Sequence, residues 1–582
     1  MKNLYLKLSL SLLSAAFLSS CSKEGTYSLY VLCTNDVHGS WFDRTYVDEK
    51  PRPSLMAINS YLNTFRSLYG KDNVLLIDSG DCLQGDNAAF YFNYVDTLGE
   101  HLFSRLVSYM GYDAITVGNH DIETGPKVYD KLTKELASRG IPFLAGNALK
   151  SDGAPYFPEY KLFKKAGMRV LVLGYTNANI QAWLDKSLWP EMEFESLLPF
   201  VQERVDKIVK RTKPDVVVVS VHSGTGKGDG QILESQGLDL FKSLKGVDVL
   251  LCSHDHASRV ERREDMVLLN AGSRAAHLGL ARVDCTFEKG KLKSKKLDAQ
   301  MLEIDPAQSD LAMREYFEAD YQKVKAFTLK KVGSFDEPLV TSEAFFGQSF
   351  YMDLIHSVQL EASGADISFC APLTYNKTIP AGELIYNDLF TLYPYENSLC
   401  VMELTGAEIR SYLEYSYANW LSEPGSPHIL LIDQRQSERY STGRWSFIYP
   451  SFNFDSAAGL NYSVDVSKPQ GERIKIKEVI GIEGTKAFDE QARYKVAMTS
   501  YRAAGGGDLL LKGAGLSREE LDSRLIARLP EIRDMLYRYL SENEGLDREK
   551  LREEGRIGRW YFMPEAQATK ALEKDRKLLF GN

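Results

Sequence analysis

The stretch Val117-Gly118-Asn119-His120-Asp121-Ile122-Glu123 sets an amide, an imidazole and two carboxylates on the turn that leaves an apolar run, residues 112–116. Open α/β sheets carry their chemistry at such strand ends. An asparagine oxygen can complete a metal site otherwise made of histidine and carboxylate, which leaves His120 free to meet a substrate. Other stretches repeat the pattern. Asp36 and His38 follow the run 27–33, and in extended chain residues two apart point the same way, so the pair could grip one ion. Asp81 follows the run 73–78 through Gly80, which lets the backbone turn tightly. His222 ends the run 215–221, and His254 and His256 follow 247–252. Five of the nine histidines thus stand just after predicted strands, a placement that histidines scattered through a core would not show.

Together these residues predict a binuclear centre. Asp81 bridges, with Asp36, His38 and His256 on one ion and Asn119, His222 and His254 on the other. Two divalent ions about 4 Å apart acidify water near neutral pH and clamp a phosphoryl oxygen. The donor set suits Zn, Mn, Fe or Co.

The elements that must position these residues alternate along the chain. Residues 54–68, 100–110 and 199–210 read as helices between the predicted strands, and 169–174 as a further strand. Runs such as Val216-Val217-Val218-Val219 are of the kind buried on both faces of a parallel sheet. At 582 residues the chain exceeds what one core can fill, so two domains or more are expected. Hydrophobic content of 44% and charged content of 26% are ordinary for a globular protein. With 70 Lys and Arg against 79 Asp and Glu and no basic run, the composition argues against a nucleic-acid polymer as partner. No protein partner is implied, and the ligand expected is a small nucleotide or phosphate ester.

Lys2 and Lys7 precede the apolar residues 8–18, a segment too short to span a membrane but the length of a signal-peptide core. It ends in Leu18-Ser19-Ser20-Cys21, which resembles the lipobox of bacterial lipoproteins. The expectation is a signal peptide over 1–20 and an exported protein held in the cell envelope by lipid on Cys21, at the periplasmic or surface face. Cys33, Cys82, Cys252, Cys285, Cys370 and Cys400 form no CxxC pair and are expected to be buried thiols.

In chain order, Asp36-Val37-His38, Gly80-Asp81, Gly118-Asn119-His120, His222 and Ser253-His254-Asp255-His256 resemble the blocks of the calcineurin-like metallophosphoesterases, with Ser253 where that family has Gly. The wording Thr34-Asn35-Asp36-Val37-His38-Gly39 is similar to that of the bacterial secreted 5′-nucleotidases, a group that includes UDP-sugar hydrolases and cyclic-nucleotide phosphodiesterases. The resemblance implies a two-domain α/β fold. A calcineurin-like αββα metallophosphoesterase sandwich would occupy 21–304, a linker helix 305–334, a C-terminal α/β 5′-nucleotidase-type substrate domain 335–565 and a tail 566–582. Segments 379–383, 392–397 and 404–406 are similar to that C-terminal domain, which in the family binds the nucleoside and closes over the metal site. The resemblance also implies a catalytic dyad of His120 and an acidic residue three positions on. Here that residue is Glu123 rather than Asp, with Asp121 as the alternative.

The chain departs from the family in the second domain. Where the family has a Gly-Gly-Ile-Arg block, residues 369–374 carry no Arg. Phe454 matches the first of two phenylalanines that sandwich the base, and the second position is Arg502, with Tyr501 beside it. Asp508 is expected to accept hydrogen bonds from ribose hydroxyls. Phe454 and Tyr501 read equally well as core aromatics. Residues 517–554 read as a solvated amphipathic helical pair and 565–582 as a peripheral helix or frayed end. The function expected is a dinuclear-metal 5′-nucleotidase. UDP-sugars, 2′,3′-cyclic nucleotides or a non-nucleotide phosphate are alternative esters for the same site, and a non-catalytic nucleotide-binding lipoprotein is a reading from another class.

Overall fold

The computed structural model describes residues 23–437, 440–482, 484–554 and 556–581. The expected signal peptide and Cys21 lie outside them. Two six-stranded sheets form the first domain. One runs in the order Lys291–Glu303, His277–Glu288, Gly25–Thr34, Val74–Asp78, Ala114–Thr116, Phe143–Leu144. The other runs Ser258–Arg263, Met266–Ala271, Val249–Leu251, Val216–Val221, Met168–Tyr175, Tyr160–Lys165.

The period of two along each strand explains how the sheets stack. Leu29, Val31 and Cys33 enter the core between the sheets with Val170, Val172, Val216 and Val218. Tyr30 and Leu32, on the opposite face, pack with the helices Leu55–Tyr69 and Leu102–Met110. Val217, Val219 and Val221 likewise pack outward against the helix Leu197–Thr212. The result is a four-layer αββα sandwich whose central strands are parallel and end at one edge.

The second domain is built on a mixed five-stranded sheet, in the order Ser456–Ala458, Ile367–Cys370, Arg493–Thr499, Ser398–Thr405, Leu525–Glu531, beside a four-stranded sheet that ends in Trp560–Met563. Six cysteines are free and buried, as their spacing suggested.

Three stretches differ from their reading in the sequence. The linker expected over 305–334 is two helices, Leu311–Tyr316 and Glu318–Thr328, followed by the strand Lys331–Phe335. Its Phe317, Tyr321 and Val324 belong to the first domain's core, and Tyr321 stacks on Tyr46 with 5.5 Å between centroids. The expected helical pair over 517–554 is interrupted by the strand Leu525–Glu531, which pairs with Ser398–Thr405. Its residues alternate in burial, as a sheet-edge strand with one solvated face requires. The helix Glu565–Phe580 is neither peripheral nor frayed. It buries Ala568, Leu572 and Leu579, and the fully buried Asp575 accepts the backbone N–H groups of Ile429 and Leu430 and binds the His428 ring.

Candidate metal centre and active site

The parallel strands deliver their following loops to one edge, and the seven predicted ligands gather there in two groups: Asp36, His38 and His256, and Asp81, His222 and His254 with Asn119. The pleat is not what makes them converge. Asp36, His38, Asp81, His254 and His256 all have φ between 47° and 75°, in the left-handed region. Non-glycine residues occupy it only where the surroundings over-determine them. Here Asp36 N–H donates to the Gly80 carbonyl at 2.8 Å, His38 N–H to the Asp81 carbonyl at 3.0 Å, and Asp36 in turn accepts the Asn35 amide at 2.6 Å and the His254 N–H at 2.9 Å.

The donors face one another as acceptors. His38 Nδ1 is spent on the Gln84 carbonyl at 3.1 Å, so its Nε2 lone pair points at His256 Nε2, 2.9 Å away. His222 Nδ1 is spent on the Ser79 carbonyl at 2.8 Å, and its Nε2 meets Asn119 Oδ1 at 3.0 Å and Asp81 Oδ2 at 3.1 Å. Asp81 Oδ2 is buried and accepts no hydrogen bond among the described residues. Burial pushes His254 down to about 3 and holds His38 well below the usual imidazole range, so both rings keep their lone pairs at neutral pH. Despite burial, the His222 and His120 rings hold Asp81 well below the usual carboxylate range. Lone pairs aimed at one another in a buried site are reconciled by cations, and a set of imidazole, amide and carboxylate donors fits divalent transition metals. Ser253, in place of glycine, uses its hydroxyl to tie the ends of three strands, donating to Ser79 O at 2.9 Å and lying 3.0 Å from His222 Nδ1.

His120 lies beside this centre. Its Nδ1 is 2.5 Å from Glu123 Oε2. Burial lowers the ring's pKa, but Asp81 and Glu123 outweigh it and raise it to about 10. Asp121 does not touch the ring. Its carboxylate accepts four backbone N–H groups, those of Asp81, Cys82, Leu83 and Gly118, at 2.8 to 3.0 Å, and so pins the loop that carries Asp81 to the turn that carries Asn119.

A cavity of about 790 Å³ opens from the metal centre to the second domain. Hydrogen-bonded or ionic contacts cross between the domains: Gln84 to the Pro394 carbonyl, Asn87 to Asn387, Tyr94 to Glu396, and Arg528 to Asp185. The substrate residues expected from the sequence fare unevenly. Tyr501 lines the cavity. Phe454 does not: it is fully buried, stacked on Trp420 at 5.6 Å, while Phe452 reaches the cavity and meets Tyr501 edge-on at 6.5 Å. The turn Ser451–Asn453 breaks the pleat between the two phenylalanines and sends them opposite ways.

Arg502 is no free stacking plane. Its guanidinium holds Asp455 at 2.7 and 3.1 Å and donates to Asn453, Gly506 and Phe452. Asp508 lies off the cavity, paired with Lys512 at 2.7 Å. Residues the sequence did not single out line the cavity as well. Trp183 stacks on His254 at 5.2 Å, Arg274 brings a cation beside His38 and Gly85, and the carboxyls of Glu396 and Glu531 come from the second domain. None stands in a recognisable spacing with the ligands.

This fold and site define a metal-dependent phosphoester hydrolase. Residues 29–258 match the calcineurin-like phosphoesterase domain and 331–512 the 5′-nucleotidase C-terminal domain, and the chain belongs to the family that joins the two. It is 24% identical over 569 residues to a 2′,3′-cyclic-nucleotide 2′-phosphodiesterase/3′-nucleotidase of Yersinia enterocolitica, covering 86% of this chain and 84% of that protein. It is 20% identical to a 5′-nucleotidase of Vibrio parahaemolyticus, over 79% of this chain and 90% of the other. The fold is shared with a Staphylococcus aureus protein solved in complex with alpha-ketoglutarate, at a TM-score of 0.75 and 20% identity over 92% and 99% of the two chains. It is also shared with a 5′-nucleotidase precursor from Thermus thermophilus, at a TM-score of 0.59 and 22% identity over 93% and 100%.

Proposed function

We propose that the protein hydrolyses nucleotides, releasing phosphate at a dinuclear centre held by Asp36, His38 and His256 on one side and Asn119, His222 and His254 on the other, with Asp81 between. The observation that carries this is the inward-facing set of imidazole, amide and carboxylate donors at the mouth of a cavity shared by both domains. When bound, two such ions lower the pKa of water and neutralise charge developing on the phosphoryl oxygens. The chain's own residues do the rest. Glu123 fixes the proton on His120 Nδ1 and leaves Nε2 for the substrate. The imidazolium gives its proton to the departing oxygen, as a general acid does. Arg274 offers the cavity a cation for phosphate, and Phe452 and Tyr501 offer ring faces to a base. A 2′,3′-cyclic nucleotide is the second reading, supported by the Yersinia relative, which matches along most of both chains.

The same proposal places the protein in the cell envelope, cleaved before Cys21 and anchored there by lipid. Incorporation of labelled palmitate that Cys21→Ala abolishes supports this, and label that persists in the variant refutes it.

The experiment for activity is phosphate release by the chain lacking residues 1–21, loaded with Mn or Zn, from AMP, 2′,3′-cyclic AMP, UDP-glucose and p-nitrophenyl phosphate. Release from AMP well above the aryl ester supports the nucleotide reading. Release from the aryl ester alone moves the substrate elsewhere, and none from any ester overturns the assignment.

A further inference from the structure

The strands that deliver Asp36, Asp81, His222 and His254 to one edge of the first domain all start at the opposite edge, and a lysine precedes each start. Lys23 stands before Gly25–Thr34, Lys71 before Val74–Asp78, Lys213 before Val216–Val221 and Lys245 before Val249–Leu251. Lys164 flanks the turn that opens Met168–Tyr175. At the same edge Gly25 pairs with Phe287, and the hairpin of His277–Glu288 and Lys291–Glu303 closes through Lys289 and Gly290. Lysines 289, 291, 293, 295 and 296 are interleaved with Gly, Leu and Ser, so they form no continuous basic run in the sequence and the hairpin is what gathers them.

Some of this charge is neutralised locally: Lys23 pairs with Asp215 at 2.6 Å, Lys293 with Glu288 at 3.4 Å and Lys295 with Asp248 at 2.7 Å. Lys71, Lys164, Lys213, Lys245, Lys289 and Lys291 are exposed and have no ion pair among the described residues, against the exposed acids Glu24, Asp72 and Glu264 of the same edge. The edge is thus positive on a chain whose formal charge is -9. Exposed lysines by themselves are only solvated. What gives these a partner is that the chain enters the domain among them. The Lys23 carbonyl accepts the Gly290 N–H at 3.0 Å, the Lys23 ammonium lies over the Phe287 ring at 4.7 Å, and Glu24 accepts the Lys289 N–H at 2.8 Å. Cys21 precedes Lys23 by two residues, and two peptide units reach about 7 Å at most. A lipid on that cysteine brings this edge to the headgroups.

We propose that this lysine-bearing edge is the membrane-facing surface of the protein and rests on anionic phospholipid headgroups around the anchor. This rests on the lipid-anchor reading above and adds the face that the anchor turns towards the bilayer. Lysines close to an anionic leaflet are attracted to it, and the attraction fades within a Debye length. The lipid holds the chain, and the lysines orient it. The strand Gly25–Thr34 joins the two edges, and its rise separates them by about 30 Å. That is several times the Debye length of about 8 Å at physiological ionic strength. The metal centre is therefore held clear of a negative surface that would repel a phosphate ester.

The test is co-sedimentation of the chain lacking residues 1–21 with vesicles of phosphatidylcholine alone and of equal parts phosphatidylcholine and phosphatidylglycerol. Binding to the anionic vesicles is expected to exceed binding to the neutral ones by about tenfold or more at low salt and to fall as salt is added. The triple variant Lys164→Glu, Lys289→Glu, Lys291→Glu is expected to lose that preference. Reversal of the exposed Lys377, Lys475 and Lys477 of the second domain, which changes the net charge equally, is expected to keep it. Should the Glu variant be unstable, Gln at the same three positions carries the test. Phosphate release from p-nitrophenyl phosphate is expected to be the same in all of these proteins, since none of the lysines lies at the metal centre. Equal binding to both vesicles overturns the proposal, as does a preference that the second-domain reversals remove as fully as the first-domain ones. Retention on heparin without binding to anionic vesicles also overturns it, in favour of a polysaccharide partner. Failure of the anchor reading is recognised separately, by palmitate label that persists in Cys21→Ala, because the vesicle assay uses a chain without that cysteine.

Discussion

Nε2 of His38 and Nε2 of His256 lie 2.9 Å apart, and the proton of His38 is committed to Nδ1 by the Gln84 carbonyl. With Asp81 Oδ2 unbonded nearby, the edge of the first domain stores repulsion that a cation removes. Metal binding should therefore stabilise that domain. A ligand at a thousandfold its Kd adds about 4 kcal/mol to the state that binds it. Calorimetry with added Zn or Mn should raise the transition of the first domain and leave the second domain's in place, and a chelator should reverse the shift. Asp81→Asn should shrink the shift and bring turnover near zero. A variant that turns over normally would refute the shared-carboxylate centre.

Glu123 and Asp121 are two residues apart and do different things. Glu123→Gln weakens the hold on the His120 proton, so the loss should fall on esters with poor leaving groups. General acid catalysis contributes about 10²–10⁴-fold. We expect kcat for AMP to drop within that range while p-nitrophenyl phosphate, whose leaving group needs no proton, drops far less. Asp121→Asn gives up a carboxylate bonded to four amides and should cost about 1–3 kcal/mol of stability, read by denaturant titration, together with weaker metal retention.

Phe452, and not Phe454, reaches the cavity, and Phe454 is the core aromatic that the sequence also allowed. Phe454→Ala removes a ring packed between Trp420 and Phe447, a truncation that costs about 3–5 kcal/mol in a core. Phe452→Ala should leave stability within about 0.5 kcal/mol, as surface changes do, and raise KM for AMP more than for p-nitrophenyl phosphate. Thermal unfolding and paired kinetics separate the two.

The candidate metal centre was legible because its ligands follow closely on strands rich in apolar residues, as Val216–Val221 before His222 shows. The geometry behind it was not. Asp36 and His38 converge through left-handed backbone and not through the pleat, and sequence spacing does not distinguish the two. The strand Leu525–Glu531 was hidden by its charges: Ile526, Arg528 and Pro530 sit on a solvated face while Leu525, Ala527, Leu529 and Glu531 turn inward, and Pro530 was the available sign that a helix could not continue. The cavity wall was least legible. Glu123, Glu396 and Glu531 on it, with Tyr94 and Arg533 in contact with Glu396, come from segments separated by up to several hundred residues, and only the packing of the two domains brings them together.

His356 offers a measure of the second domain that is independent of the metals. It is buried between the Ser368 and Ser456 hydroxyls, at 2.9 and 3.2 Å, and burial alone lowers its pKa to about 3. In the unfolded chain it titrates near 6.5. Between those values the unfolded state binds the proton and the folded state does not, so stability falls as pH drops, by about 1.4 kcal/mol per pH unit from this group. Replacing it with Gln keeps polar atoms for the two hydroxyls and removes the titration. Other buried groups, such as the carboxyl of Glu396, shift stability with pH in both proteins alike and cancel in the difference. The stability advantage of the wild type over His356→Gln should thus shrink by about 2 kcal/mol between pH 7 and pH 5, measured on the second domain's unfolding transition. A difference that stays flat across that range would mean that the folded protein accommodates the imidazolium.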